Sequence, residues 1–213
     1  MIRNPLQHLV LAATLLASLT LASHPVHAAA AFEFDDPQFV TDFGNWNFGI
    51  NFRADRNLQV SALGYFWDTE LSSAAHNVAL FSADGTRLAA ATVSAGDALS
   101  GHFRYSLIDA VTLTAGNSYR VVGSSASDFY FYDAVNFSSA AGISYLGNVY
   151  SAATGTAALF DQTPDAGNDT LNGYWGPSLA VSPVPEPSTY GLLLAGLGLM
   201  GVMYQVRRRR PTR

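Results

Sequence analysis

Catalysis and ligand binding need side chains that carry charge, move protons or stack on rings, and this chain places few of them in suggestive order. Of its five histidines, only His76 and His102 lie beyond the first 27 residues. Neither stands at a metal-ligand or triad spacing from an acid and a nucleophile. No H-E-x-x-H, G-x-S-x-G or cysteine-based motif occurs. Both histidines therefore read as structural or surface groups, and the sequence supplies no catalytic residue. The densest run of hard oxygen ligands is Asp161-Gln162-Thr163-Pro164-Asp165-Ala166-Gly167-Asn168-Asp169. Asp161, Asp165 and Asp169 around a glycine suit calcium, the only cofactor suggested, although the spacing is not that of an EF-hand. The same composition also makes solvated turns.

Aromatic residues are the other candidates. Asp128-Phe129-Tyr130-Phe131-Tyr132-Asp133 is an aromatic run with an acid at each end, and Trp67 and Trp175 add indoles elsewhere. Exposed together, Trp67, Tyr130 and Trp175 would form a platform for sugar rings. Strand aromatics also serve as packing, so the test is whether the three share one surface.

The elements that must position these residues are short strands. Trp46, Phe48, Ile50 and Phe52 alternate with polar or small residues, the signature of a half-buried strand. Leu58, Val60 and Ala62 continue the period, and Phe103, Tyr105 and Leu107 repeat it. Asn77 to Phe81 and Arg87 to Val93 flank Ser82-Ala83-Asp84-Gly85-Thr86, where Asp-Gly between apolar runs predicts a hairpin. Pro37 confines any strand in the acidic, aromatic stretch Phe32 to Thr41 to an edge or a turn. No window from Phe32 to Val181 keeps a helical period. The pattern predicts an all-β, antiparallel β-sandwich of jelly-roll type.

Charge and cysteine content narrow the function. Between residues 31 and 181 the chain carries five arginines against fifteen carboxylates, a net charge of −10, and it has no lysine. Such a domain repels nucleic acid, and repels anionic polysaccharide unless a divalent cation bridges the two. The absence of cysteine leaves no disulfide framework, so stability must come from an apolar core.

Both ends of the chain carry export signals. Arg3 precedes an apolar run, Leu9 to Ala22, and Val26-His27-Ala28 or Ala28-Ala29-Ala30 offers small residues for signal peptidase. Residues 1–28 are thus expected to be a signal peptide. At the other end Pro185-Glu186-Pro187 is followed by an apolar run from Tyr190 to Val206 and by Arg207, Arg208, Arg209 and Arg210. The run is near the lower limit for a single transmembrane helix, about 17 to 25 residues. The arginines orient it with their end in the cytoplasm, leaving everything before Pro185 outside. The prolines hold the segment ahead of the helix extended, a shape that a protease cleft can grip.

Pro185-Glu186-Pro187, helix and arginine block in this order resemble the PEP-CTERM sorting signal of Gram-negative bacteria. That resemblance implies a substrate of a membrane-embedded exosortase, usually in species that make exopolysaccharide. The segments Trp46 to Phe52, Val60 to Tyr65, His76 to Gly85 and Tyr174 to Pro177 resemble a β-sandwich domain of unknown function found on exported bacterial proteins. The chain divides into the leader, an exported domain over 31–181 and a sorting tail over 182–213. The expected protein is a non-enzymatic surface or matrix component, passing through the inner membrane and periplasm to the envelope or biofilm matrix. Its expected partners are signal peptidase, exosortase and exopolysaccharide, and not nucleic acid. A carbohydrate-binding module and a glycan-acting hydrolase are the rival readings, the latter needing two close carboxylates.

Overall fold

The computed structural model describes residues 28–35, 37–41, 45–134, 136–152, 166–168, 174–184 and 196–201, with only the backbone at 37–41, 133–134 and 166–168. The expected leader up to His27, Asp161, Asp165, Asp169, Pro185, Glu186, Pro187 and the block Arg207 to Arg210 lie outside the described residues. Residues 196–201 form a helical turn within the expected membrane span. Among the described residues no helix is long and apolar enough to cross a membrane.

The first strands are β1 (Ala29–Ala30), β2 (Phe32–Glu33), β3 (Pro37–Thr41), β4 (Trp46–Ala54) and β5 (Leu58–Phe66). Then come β6 (His76–Ser82), β7 (Arg87–Val93), β8 (Ala98–Ser100), β9 (Phe103–Leu113), β10 (Ser118–Ser124) and β11 (Tyr130–Ala134). The last are β12 (Ser138–Ser139), β13 (Ile143–Ala152), β14 (Ala166–Asn168), β15 (Tyr174–Trp175) and β16 (Pro177–Pro183). One sheet runs β1-β16-β5-β9-β8 and the other β14-β13-β4-β10-β6-β7, with two small sheets, β15-β11-β3 and β12-β2. Every pairing is antiparallel.

Ile50, Phe52, Leu80 and Val121 from the second sheet meet Leu58, Leu63, Leu113 and Leu179 from the first in one buried cluster. The chain changes sheet from β4 to β5, from β5 to β6, from β7 to β9 and from β9 to β10, and stays within a sheet at the β6–β7 hairpin. That order, β1-β16-β5-β9 over β4-β10-β6-β7, is a jelly roll, with β13 added beside β4. Pro37 opens β3, an edge strand, as its missing donor requires.

Two details differ from the alternation read along the chain. Between Val60 and Ala62 the register of β5 against β9 slips, so that Val60 faces Val111 but Ala62 faces Leu107. The bulge reverses which residues point inward, bringing Leu63 and Tyr65 into the core. It also turns Leu107 outward, 84% exposed. The second detail concerns Phe32 and Phe34, set among acids, which are both fully buried.

The β6–β7 hairpin has the predicted turn. Gly85 N donates to Ser82 O at 3.0 Å and Gly85 has φ of 85°, the left-handed geometry glycine tolerates. The Asp84 carboxylate accepts from Ser82 Oγ and from Thr86 N. These bonds, the Ser82 hydroxyl foremost, hold Asp84 below the usual carboxylate range.

Candidate functional site

The three aromatic residues proposed as a sugar platform do not share a surface. Trp175 is 1% exposed and packs against Phe137 at 4.5 Å and Phe34 at 5.9 Å between ring centroids. Trp67 is 6% exposed and lies beneath Arg104, whose guanidinium carbon is 5.1 Å from the indole centroid. Tyr130 is half-buried, tilted on Phe48 at 4.9 Å. The reason is physical: a disulfide-free domain of this size needs the large apolar area of its aromatics inside. What does gather is a half-buried group of Trp46, Tyr130, Tyr150 and Tyr174 around Phe48.

His76 and Asp128, far apart in the chain, meet in the interior. Both are buried, with His76 Nε2 at 3.3 Å from Asp128 Oδ2. The approach is close but poorly aligned for a hydrogen bond. His76 Nδ1 donates to Ser124 O at 3.0 Å, and the imidazole lies flat on Tyr65. Burial holds His76 below its ordinary value, against the opposing pull of the Ser124 carbonyl and the Asp128 charge. Burial likewise raises the Tyr65 hydroxyl, helped by the Asp128 charge. Asp128 accepts from Ser73 N at 2.8 Å, Ala74 N at 2.9 Å and Ser73 Oγ at 3.0 Å. These bonds tie the 68–75 loop to the turn after β10. In that turn Ala126 has φ of 52°, a conformation that non-glycine residues rarely hold. The one hydroxyl these bonds bring to the pair, Ser73 Oγ, engages the Asp128 carboxylate rather than the imidazole, and the pair braces the loop from inside.

His102 is paired too. Its Nδ1 lies 2.7 Å from Glu33 Oε1, and its ring stacks on Phe34 at 5.4 Å. This contact ties β2 to the start of β9. Among the described residues no group of three or more His, Cys, Asp or Glu side chains is placed to hold a metal ion.

The outward side of the six-stranded sheet is different in character. Arg120, half-buried on β10, donates from Nε to Asn51 Oδ1 at 2.6 Å. Burial lowers its affinity for a proton below the ordinary guanidinium value. A cavity of about 260 Å³ opens there, lined by Asn51, Ser82, Gly85, Ser118, Arg120 and Leu146. The sequence carried a signal for this region that chain-order reading passes over: where the acids are absent.

Residues 35–176 match the family model described as a domain of unknown function, DUF4082, and residues 183–210 match the PEP-CTERM protein-sorting motif. No curated protein matches the chain. The first match covers most of the chain and the second begins at Pro183, the final residue of β16, so this protein belongs to the DUF4082 family and carries a PEP-CTERM sorting motif behind its sandwich.

Proposed function

We propose that the protein is a non-enzymatic component of the cell surface or extracellular matrix, associated there with exopolysaccharide. Export and handling by exosortase follow from the sorting motif over 183–210. The observation that supports the further step is the use made of the chemistry-bearing residues. His76 and Asp128 brace loops in the interior, His102 is held by Glu33, and Trp67 and Trp175 are core. What remains outward is a groove on the sheet lined largely by hydroxyl, amide and guanidinium groups, a binding arrangement rather than a proton-transfer one. A hydrolase would need two close carboxylates, and the described lining of that groove supplies one, Asp84.

Fractionation of the native host tests this. The protein should leave the cells and co-purify with extracellular polysaccharide, and deletion of the exosortase should retain it in the cell envelope. Recovery in the soluble medium, free of polysaccharide, would refute matrix association.

A further inference from the structure

Charge is spread unevenly over this acidic domain. The five long strands of the second sheet, β4, β6, β7, β10 and β13, contain no aspartate or glutamate, yet they carry Arg53, Arg87 and Arg120. Register puts all three on the outer face. Ser118 pairs with Arg53, Arg120 pairs with both Asn51 and Phe81, and Phe81 pairs with Arg87. The alternate residues, Phe52, Leu80 and Val121, face the core. Strands spaced by about 4.8 Å set Arg87 about 10 Å from Arg120, two strands away. Arg53 is the diagonal neighbour of Arg120, about 7 Å distant. Asp55, just past the end of β4, takes up part of the Arg53 charge through a 2.9 Å contact.

Arg120 lies in the 260 Å³ cavity, which shares Ser82, Ala83, Ser118 and Tyr119 with a second cavity of about 520 Å³. Together they form a groove passing beneath the β6–β7 hairpin to Thr112 and Asn117. The groove is rich in hydroxyl and amide groups and holds one carboxylate, Asp84, in the second cavity, where Ser82 Oγ and Thr86 N already donate to it. Two half-exposed leucines, Leu146 in the first cavity and Leu88 in the second, offer apolar contact.

The geometry points to a binding site for a linear, carboxylate-bearing polysaccharide, with one uronate carboxylate held by Arg120. The inference rests on the matrix-associated reading above and names the ligand class it lacks. A guanidinium presents a planar fork that matches a carboxylate with two parallel bonds. Asn51 fixes that plane through Nε. Arg87 and Arg120 already engage other groups of the chain, so a ligand carboxylate exchanges with an existing contact. Ser82, Ser118 and Asn51 can trade hydrogen bonds with sugar hydroxyls, and Leu146 can meet the apolar face of a ring. The domain's net negative charge opposes a polyanion at long range, but screening over about 8 Å at physiological salt limits the opposition felt at Arg120 to the nearby acids, Asp84 at the far cavity and Asp55 on Arg53. Nucleic acid is a poorer match, since three arginines fall short of the roughly 6 to 10 phosphate contacts that give duplex binding its strength.

The test uses the full chain in detergent and fluorescein-labelled oligogalacturonate, with a neutral cello-oligosaccharide and a single-stranded DNA of equal length as competitors. The wild-type chain should bind oligogalacturonate, and only unlabelled oligogalacturonate should compete. Arg120→Gln should weaken binding about tenfold or more, the loss of a charge-assisted pair. Arg120→Lys should weaken it less, and Arg56→Gln, away from the groove, should leave it unchanged. Thermal melts of each variant establish that the fold survives. No binding by the wild type, equal binding by Arg120→Gln, or stronger competition by DNA would overturn the site. Each of those results leaves matrix association standing, because that is read from host fractions and fails only if the protein is absent from them.

Discussion

The imidazole of His76 lies face to face with the ring of Tyr65, centroids 3.9 Å apart and planes 8° from parallel. Burial beneath this ring is the main reason that His76 resists protonation. The unfolded chain has no such restraint and takes up the proton near pH 6.5. Below that pH the unfolded state therefore binds more protons than the folded one, and stability falls as pH falls. The slope from this residue is at most about 1.4 kcal/mol per pH unit, ending at the folded value. Asp55 and Asp84, both lowered in the fold, add their own loss only at more acid pH. Melting curves between pH 7.5 and 5, on the order of three steps per unit, should show a declining Tm that flattens in His76→Gln. A Tm that rises on acidification would mean that Asp128 holds the proton on the ring.

Asp128 supports a prediction independent of pH. Replacing it by alanine removes the acceptor for Ser73 N, Ala74 N and Ser73 Oγ, which sit in a part-buried loop, and empties the buried position that the carboxylate fills. The loss should be about 3 kcal/mol, with Asp128→Asn between it and the wild type. Urea unfolding decides it; a loss below about 1 kcal/mol would mean that water satisfies the loop instead.

Those two residues show what was legible in the chain. Local features were readable: the Asp84-Gly85 turn, the alternation from Trp46 to Phe52 and the edge position forced by Pro37. Each rests on the conformation of a few neighbouring residues. Encounters across the fold were not readable. His76 meets Asp128 and Glu33 meets His102 because strands distant in sequence pack together, and nothing local encodes the register. The bulge at Val60 and Ala62 is invisible for the same reason, and it turned Leu107 from an apparent core position into an exposed one. Aromatics misled in the opposite direction. Trp67 and Trp175 have the chemistry of a sugar platform, but their area is spent inside. The charge asymmetry of the second sheet was legible in principle, since each of its strands lacks acids, but it has meaning only once five separated segments are known to be neighbours.

Two glycines have different reasons to resist substitution. A Cβ at Gly85 would meet nothing within 4 Å, so Gly85→Val suffers only from its φ of 85°. The expected cost is about 1 to 3 kcal/mol. Gly64 has ordinary backbone geometry, which by sequence alone makes alanine there inexpensive. In the fold a Cβ at Gly64 would sit 2.5 Å from the half-buried Tyr105 ring, which packs against the core. Gly64→Ala should therefore also cost about 1 to 3 kcal/mol, through overpacking. The two mechanisms separate in a double-mutant cycle. Tyr105→Leu should relieve much of the Gly64→Ala cost and none of the Gly85→Val cost, and additive losses in both pairs would refute the close contact.

Processing at the sorting motif has a direct readout. The last described strand ends at Pro183, and Val184 N still reaches Asn57 O at 3.4 Å, so every described strand lies before Pro185. Cleavage near Pro187 therefore removes the tail without removing a described strand. Intact-mass measurement of the protein from its native host should give a C-terminus near Pro187. A mature form that retains Arg207 to Arg210 would mean that the tail serves as an ordinary anchor.

The N-terminus offers a finer test of the same economy. Ala29 and Ala30 pair with Val181 and Ala180, and Ala31 N donates to Leu179 O at 2.7 Å. Together they cover the outer edge of β16, the strand that leads into the sorting tail. A leader cut after Ala28 leaves β1 whole, whereas a cut after Ala30 removes it and exposes the β16 backbone as a free sheet edge, open to pairing with other chains. The mature protein should therefore begin at Ala29. A form engineered to begin at Phe32 should lose about 1 to 3 kcal/mol, from the few backbone bonds given up, and should self-associate more readily in sedimentation runs. N-terminal peptide mapping settles the first point. A native start at Ala31, in a protein equally stable and monomeric, would show that β16 does not depend on this cover.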